Sequence, residues 1–104
     1  MHRIKYIIMA KIIFSLLQPA TIKGTIYDQE TKEPLIGASI FIASEAIGTA
    51  SDLDGTFSLK NIRSCSTCTY ALKSTYIGYK NLIKDIELFE NKDIILDLFL
   101  EPQS

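Results

Sequence analysis

The sequence predicts an all-β sandwich of six or seven short strands, and three observations predict it. From about residue 20 onward, apolar residues recur with a period of two. Turn residues interrupt that alternation at short intervals, among them Pro34, Asp54-Gly55 and Gly78. No helical period appears after that point, so the strands must cover one another rather than a layer of helices.

The N-terminus follows a different rule. Met1 to Lys5 carries Arg3 and Lys5, and an apolar run from Tyr6 to Leu17 follows, broken only by Lys11 and Ser15. A short basic segment before such a run has the layout of a secretory signal. The run is shorter than the roughly 18 apolar residues that cross a bilayer. We expect a signal helix over residues 1–20, a sandwich domain over 21–101 and a tail over 102–104. Lys11 is costly in an apolar run, and Gln18-Pro19-Ala20 is a poor small-x-small cleavage site. An uncleaved amphipathic helix or an N-terminal strand is therefore the alternative. No cysteine follows the run closely enough to suggest a lipid anchor.

The strands follow in order. Thr21 to Asp28 turns Ile22, Gly24 and Ile26 to one face and Thr21, Lys23, Thr25 and Tyr27 to the other. Pro34 closes a polar connection and delays the next strand, because it cannot donate to a ladder. Ala38 to Ala43 points Ile40 and Ile42 inward, and Ala46 to Ser51 is a short strand. Asp54-Gly55 then makes a hairpin, since glycine accepts a positive φ without a Cβ clash. Thr56 to Ile62 places Phe57 and Leu59 inside. Tyr70 to Tyr79 turns Tyr70, Leu72, Ser74 and Tyr76 to one face, with Gly78 as a bend. Leu82 to Leu88 carries Ile86 inward, and Asp93 to Glu101 closes with Ile94, Leu96, Leu98 and Leu100 on one face. Shared parity within each strand makes Ile22, Ile26, Ile40, Ile42, Phe57, Leu59, Leu72, Ile86, Leu96 and Leu98 the expected core.

Composition narrows the function. Hydrophobic residues make up 47% of the 104-residue chain, which excludes a disordered polymer. The formal charge of −1 offers no field to gather nucleic acid or an anionic membrane surface. The one histidine, His2, lies in the expected signal, so the domain has no Ser-His-Asp or Cys-His pair and no His-based zinc site. We expect no catalytic residue, no cofactor and no metal. Asp52-Leu53-Asp54-Gly55 resembles the start of an EF-hand loop, but Arg63 stands where the closing glutamate belongs, so a hairpin turn is the better reading.

Cys65 and Cys68 form a single C-x-x-C in a polar loop. A four-ligand zinc site needs two more ligands, and a thioredoxin-like motif needs a βαβ setting. A small disulfide, two free thiols, or a redox or metal role remain open. Phe41, Ile95 and Phe99 break the polar parity of their strands. They are the candidate docking surface, with packing against the signal segment or a loop as the alternative.

Four segments carry a resemblance. Gly24-Thr-Ile-Tyr-Asp28, Glu33-Pro-Leu-Ile-Gly-Ala-Ser-Ile40, Gly48-Thr-Ala-Ser-Asp-Leu-Asp-Gly-Thr-Phe57 and Ser74-Thr-Tyr-Ile-Gly-Tyr79 resemble, in that order, the carboxypeptidase regulatory-like domain. The version they are most similar to stands at the N-terminus of TonB-dependent outer-membrane receptors of Bacteroidetes-type bacteria. The resemblance covers about residues 21 to 101. It implies a seven-stranded antiparallel, transthyretin- or prealbumin-like β-sandwich. It also implies a non-catalytic accessory or docking domain on the periplasmic side of the outer membrane, with a protein partner such as a receptor plug and barrel or another envelope protein. Membrane association would then come only through the parent receptor.

Two departures qualify the resemblance. The C-x-x-C loop is foreign to the family pattern. A membrane barrel needs at least about eight strands of roughly ten residues, so on this reading the chain is a truncated receptor fragment. The alternative is a free-standing secreted or surface module that binds glycan, peptide or protein.

Overall fold

The structure, a computed structural model, describes residues 19–63, 68–88 and 93–103. Residues 1–18, where the expected signal helix falls, lie outside the described residues, as does Cys65. The described chain forms β1 (Pro19–Asp28), β2 (Ser39–Ile42), β3 (Ile47–Ala50), β4 (Thr56–Arg63), β5 (Cys68–Thr75), β6 (Leu82–Leu88), β7 (Ile94–Ile95) and β8 (Leu98–Leu100). One 3₁₀ turn, Ala43–Glu45, joins β2 to β3.

The strands build two sheets. In the first, β1 is central, β4 pairs with it antiparallel on one side, and β7 and β8 pair with it parallel on the other. In the second, the order is β3-β2-β5-β6, antiparallel throughout. The all-β sandwich of the sequence reading stands. Its strand count and its uniform antiparallel pairing need correction.

The eighth strand arises because the expected last strand breaks at Leu96-Asp97. Opposite the break is Gly24, where a Cβ would lie 1.8 Å from the carbonyl oxygen of Leu96. The Leu96 backbone thus presses onto β1, and its N–H donates to Lys23 O at 2.8 Å. Only a residue without a side chain permits that approach. The parallel pairing follows from where the last segment starts. Asp93 lies beside the beginning of β1, with Thr21 N–H donating to Asp93 Oδ1 at 3.2 Å. From there the chain climbs in the same direction as β1, reaching Leu100 opposite Asp28.

Three boundaries also move. β1 begins at Pro19, and Ala20 is fully buried opposite Ile62, so the expected boundary at residue 20 falls inside a strand. β5 starts at Cys68 and stops at Thr75 instead of reaching Tyr79. β3 runs from Ile47 to Ala50, one residue shorter at each end than the expected Ala46–Ser51.

The core matches the parity argument closely. Every expected core residue is buried except Leu96, which is half-buried where the last strand breaks. Ile62, Leu88 and Leu100 join them. Ile62 is a parity violation with a cause. The β1–β4 register shifts between Ala20 and Ile22, and Asn61 adopts φ 61°, so one extra residue in β4 returns Ile62 to the interior.

Two buried serines contrast. Ser51 donates to Leu35 O at 2.6 Å and accepts from Ala38 N–H at 2.9 Å. Ser74, 1% exposed, has no partner for its hydroxyl among the described residues.

Two substitutions test this core in opposite directions. Phe57→Ala, at a position 5% exposed, should cost about 3–5 kcal/mol, read as a collapse of the thermal midpoint. Ser74→Ala removes an orphaned hydroxyl and should leave the midpoint unchanged or raise it, by up to about 1 kcal/mol. A clear loss of stability in the alanine variant would mean that the hydroxyl has a partner.

Candidate functional site

One end of the sandwich is held by a single carboxylate. Asp28 ends β1 and is 7% exposed. Its Oδ1 accepts the N–H groups of Glu30 at 2.7 Å and Thr31 at 3.0 Å, which folds the turn after β1. Its Oδ2 accepts the Tyr79 hydroxyl at 2.6 Å, from the loop between β5 and β6 in the other sheet. Tyr76 lies against Tyr79 with ring centroids 5.6 Å apart. The chain past β8 closes over the same loop. Gln103 N–H donates to Gly78 O, Lys80 N–H donates to Glu101 O, and the Lys80 ammonium sits 3.2 Å from the Glu101 carboxylate.

The charges respond accordingly. Tyr79's hydrogen bond, then the Thr31 N–H, holds the Asp28 carboxyl below its ordinary 3.8. The same bond pushes Tyr79 up to about 12. At the β3–β4 turn, Asp52 accepts from the Thr56 hydroxyl and from the N–H groups of Thr56 and Asp54. The Thr56 hydroxyl is the main cause that lowers its pKa. Asp52 and Asp54 therefore build a turn, as the hairpin reading expects. Among the described residues no group of three or more His, Cys, Asp or Glu is placed to hold a metal.

The candidate docking residues divide between two faces. Ile95 pairs with Lys23 and Phe99 with Tyr27, so both stand on the outer face of the first sheet, 76% and 43% exposed. Phe99 stacks on Tyr27 at 5.3 Å between centroids, with the Lys32 ammonium 5.1 Å from its ring. Phe41 is on the outer face of the second sheet, half-buried, under Lys73. The three do not form one patch. Cys68 begins β5, half-buried against the core, and the candidate Cys65–Cys68 disulfide, which involves Cys65, lies outside the described residues.

A groove that no sequence pattern announced lies on the first sheet. An open depression of about 780 Å³ crosses the outer face of the first sheet, floored by β1, β4 and the Ile95–Asp97 segment and walled by Thr49 to Asp52. Its signal was present in the outward residues of β1 and β4, but those read only as solvated strand positions.

Asp28 and Tyr79, which latch the two sheets together, and Asp52 and Gly55 of the hairpin turn all fall in the four resembling segments. The profile of the CarboxypepD_reg-like domain matches residues 22–104. The chain belongs to the CarboxypepD_reg-like domain family. None of the curated protein sequences matches it. Solved structures share the fold at low identity. The shaft pilin SpaA of Lactobacillus rhamnosus GG is 19% identical with a TM-score of 0.62, over 84% of this chain and 47% of the pilin. The Bacillus anthracis TIE protein is 23% identical at 0.62, over 82% of this chain and 17% of that protein. Catechol 1,2-dioxygenase from Acinetobacter sp. ADP1 is 11% identical at 0.66, over 85% and 54%. The chain thus spans about half the length of the shaft pilin it matches.

In this CarboxypepD_reg-like domain the latch sets a pH window. Asp28 is depressed, so its contribution is full above about pH 4 and is lost as pH falls through the lower folded value. Tyr79 is raised, so its contribution is full below about pH 10 and is lost as pH rises toward about 12. Burial raises Tyr70 in the same direction. Tyr79→Phe should therefore lower the thermal midpoint most between these limits and flatten both arms of the pH profile. The Asp52 share of the acid arm should remain. A variant whose profile runs parallel to the parent's would remove the latch from the account.

Proposed function

We propose that this chain works as a non-catalytic accessory or docking domain of a TonB-dependent outer-membrane receptor, on the periplasmic side of the envelope. The observation that carries the proposal is how the family's residues are used. Asp28 and Tyr79 join the sheets, Asp52 and Gly55 make the hairpin, and Gly24 admits the last strand. The likeness to the family therefore lies in a scaffold, and no set of nucleophile, base and orienter is assembled from it. What such a scaffold offers a partner is surface, and Ile95 and Phe99 leave apolar area in water on one face. The partner proposed is the receptor's own plug and barrel or another envelope protein.

A second reading is a free-standing secreted or surface sandwich that binds glycan, peptide or protein. A sandwich of this fold occurs in a shaft pilin, which keeps that reading in play.

Localisation and co-purification separate the two. An epitope-tagged full chain, expressed in a Gram-negative host with TonB-dependent receptors, should become protease-sensitive only once the outer membrane is permeabilised. It should co-purify with a receptor barrel, and Ile95→Ser with Phe99→Ser should abolish that capture while Phe41→Ser, on the other sheet, leaves it intact. Release into the medium, or no barrel in the eluate, would favour the free-standing module.

A further inference from the structure

We infer that the groove on the outer face of the first sheet binds an uncharged, linear oligosaccharide. The inference needs neither of the two readings above, because it rests on the chemistry of the groove alone. At about 780 Å³ the groove falls within the roughly 300–1,000 Å³ of ligand sites.

The central strand of its floor offers no recognition through the main chain. β1 is paired on both sides, with β4 on one flank and with β7 and β8 on the other, so the central strand has no free ladder for an extended peptide. Side chains are what the floor presents, and their inventory is specific. Thr25, Thr49 and Ser58 line the groove, their hydroxyls have no hydrogen-bond partner among the described residues, and each can donate and accept. Lys23 and Lys60 line it too, without an ion pair among the described residues.

The carboxylates decide the ligand's charge. Asp52 and Asp97 face the same groove and cancel the two lysines. Both oxygens of Asp52 are taken by its own turn, whereas Asp97 spends only Oδ1, on the Thr25 N–H at 3.1 Å. A polyanion would gain two amines and meet two carboxylates, so the groove confers no net attraction on it. A neutral chain of hydroxyls, each a donor and an acceptor, matches unpaired hydroxyls, amines and one open carboxylate oxygen together. Ile95 stands at the groove as an exposed aliphatic wall for the C–H face of a sugar ring.

The test is a titration of the isotope-labelled full chain followed by amide chemical shifts. The probes are maltohexaose, xylohexaose and mannohexaose, with hexagalacturonate and an uncharged alanine-serine hexapeptide as competing classes. At least one neutral sugar should bind in roughly the millimolar range. It should move the signals of Lys23, Thr25, Ser58, Lys60 and Ile95 and leave Phe41 and Lys73, on the opposite sheet, in place. Lys23→Ala with Ser58→Ala should weaken it about tenfold, and Lys73→Ala should not change it. Ile95→Ala gives a second route should the double variant fail to fold. The inference is overturned if none of the three sugars shifts the groove, or if the shifts map elsewhere. It is equally overturned if the uronate or the peptide binds the groove more tightly, or if folded groove variants keep full affinity.

Discussion

The hydrogen bond from Tyr79 to Asp28 is the interaction on which the arrangement of the two sheets most depends. A carboxylate that is 7% exposed is costly unless its charge is met by donors. Asp28 meets that condition with three, two from its own turn and one from the opposite sheet. The two local donors set the path of the chain out of β1. The distant one, 51 residues away, sets where the loop between β5 and β6 must sit. Once Tyr79 is placed, Gly78 and Lys80 are placed with it, and their backbone groups receive Gln103 and Glu101. A single carboxylate therefore couples the exit of the first strand, the far loop of the second sheet and the last residues described.

Most of this was legible in the alternation of the sequence, because a strand with one buried face declares that face at every second residue. Ile22, Ile26, Ile40, Ile42 and Leu72 needed nothing more. Parity fails as a guide where the backbone breaks the period, and it failed at two such places. The extra residue at Asn61 sends Ile62 inward, and the contact of Leu96 with Gly24 divides the last strand. Neither depends on local composition. Each is set by what lies across the sheet, which a period cannot register. Strand direction is equally invisible to it, so the parallel pairing of β7 and β8 was not legible. The four family-like segments named the residues of the latch and the turns but not their partners. Asp28 and Tyr79 both stood among them, and only the folded chain brings them together. The groove was not legible for the same reason. Its hydroxyls and lysines come from separate strands, and each alone is an ordinary outward residue.

The last strand has a further property that follows from its carboxylates. A parallel edge strand has evenly spaced rungs, yet this one drops its backbone pairing at Leu96-Asp97 while keeping one register with β1 on both sides. Two aspartates, four residues apart, stand in for missing acceptors. Asp93 Oδ1 accepts from Thr21 N–H and Asp97 Oδ1 from Thr25 N–H, also four residues apart on β1. The alternation of backbone rungs and carboxylate clips lets an irregular segment satisfy the central strand without a continuous ladder. It also explains why the acidic residues of this strand are on its outward face, where water reaches the remaining oxygens while the inward face keeps Leu98 and Leu100.

That arrangement has a kinetic consequence for how the sandwich forms. The clips join residues 72 positions apart, whereas β2 with β3 and β5 with β6 pair across short connections. Closing the longer loop costs more chain entropy before any contact rewards it. The two hairpins of the second sheet can therefore form locally, and β2 can join β5 and β1 can join β4 across the intervening strands, before the C-terminal segment arrives. Until it does, the free edge of β1 and the buried positions of Leu98 and Leu100 stay open to solvent. The residues that finish the first sheet are thus the same ones that the latch holds at their far end, through Glu101 and Gln103. Docking of the last strand and closure of the Tyr79–Asp28 bond then belong to one late step, because each places the groups that the other requires.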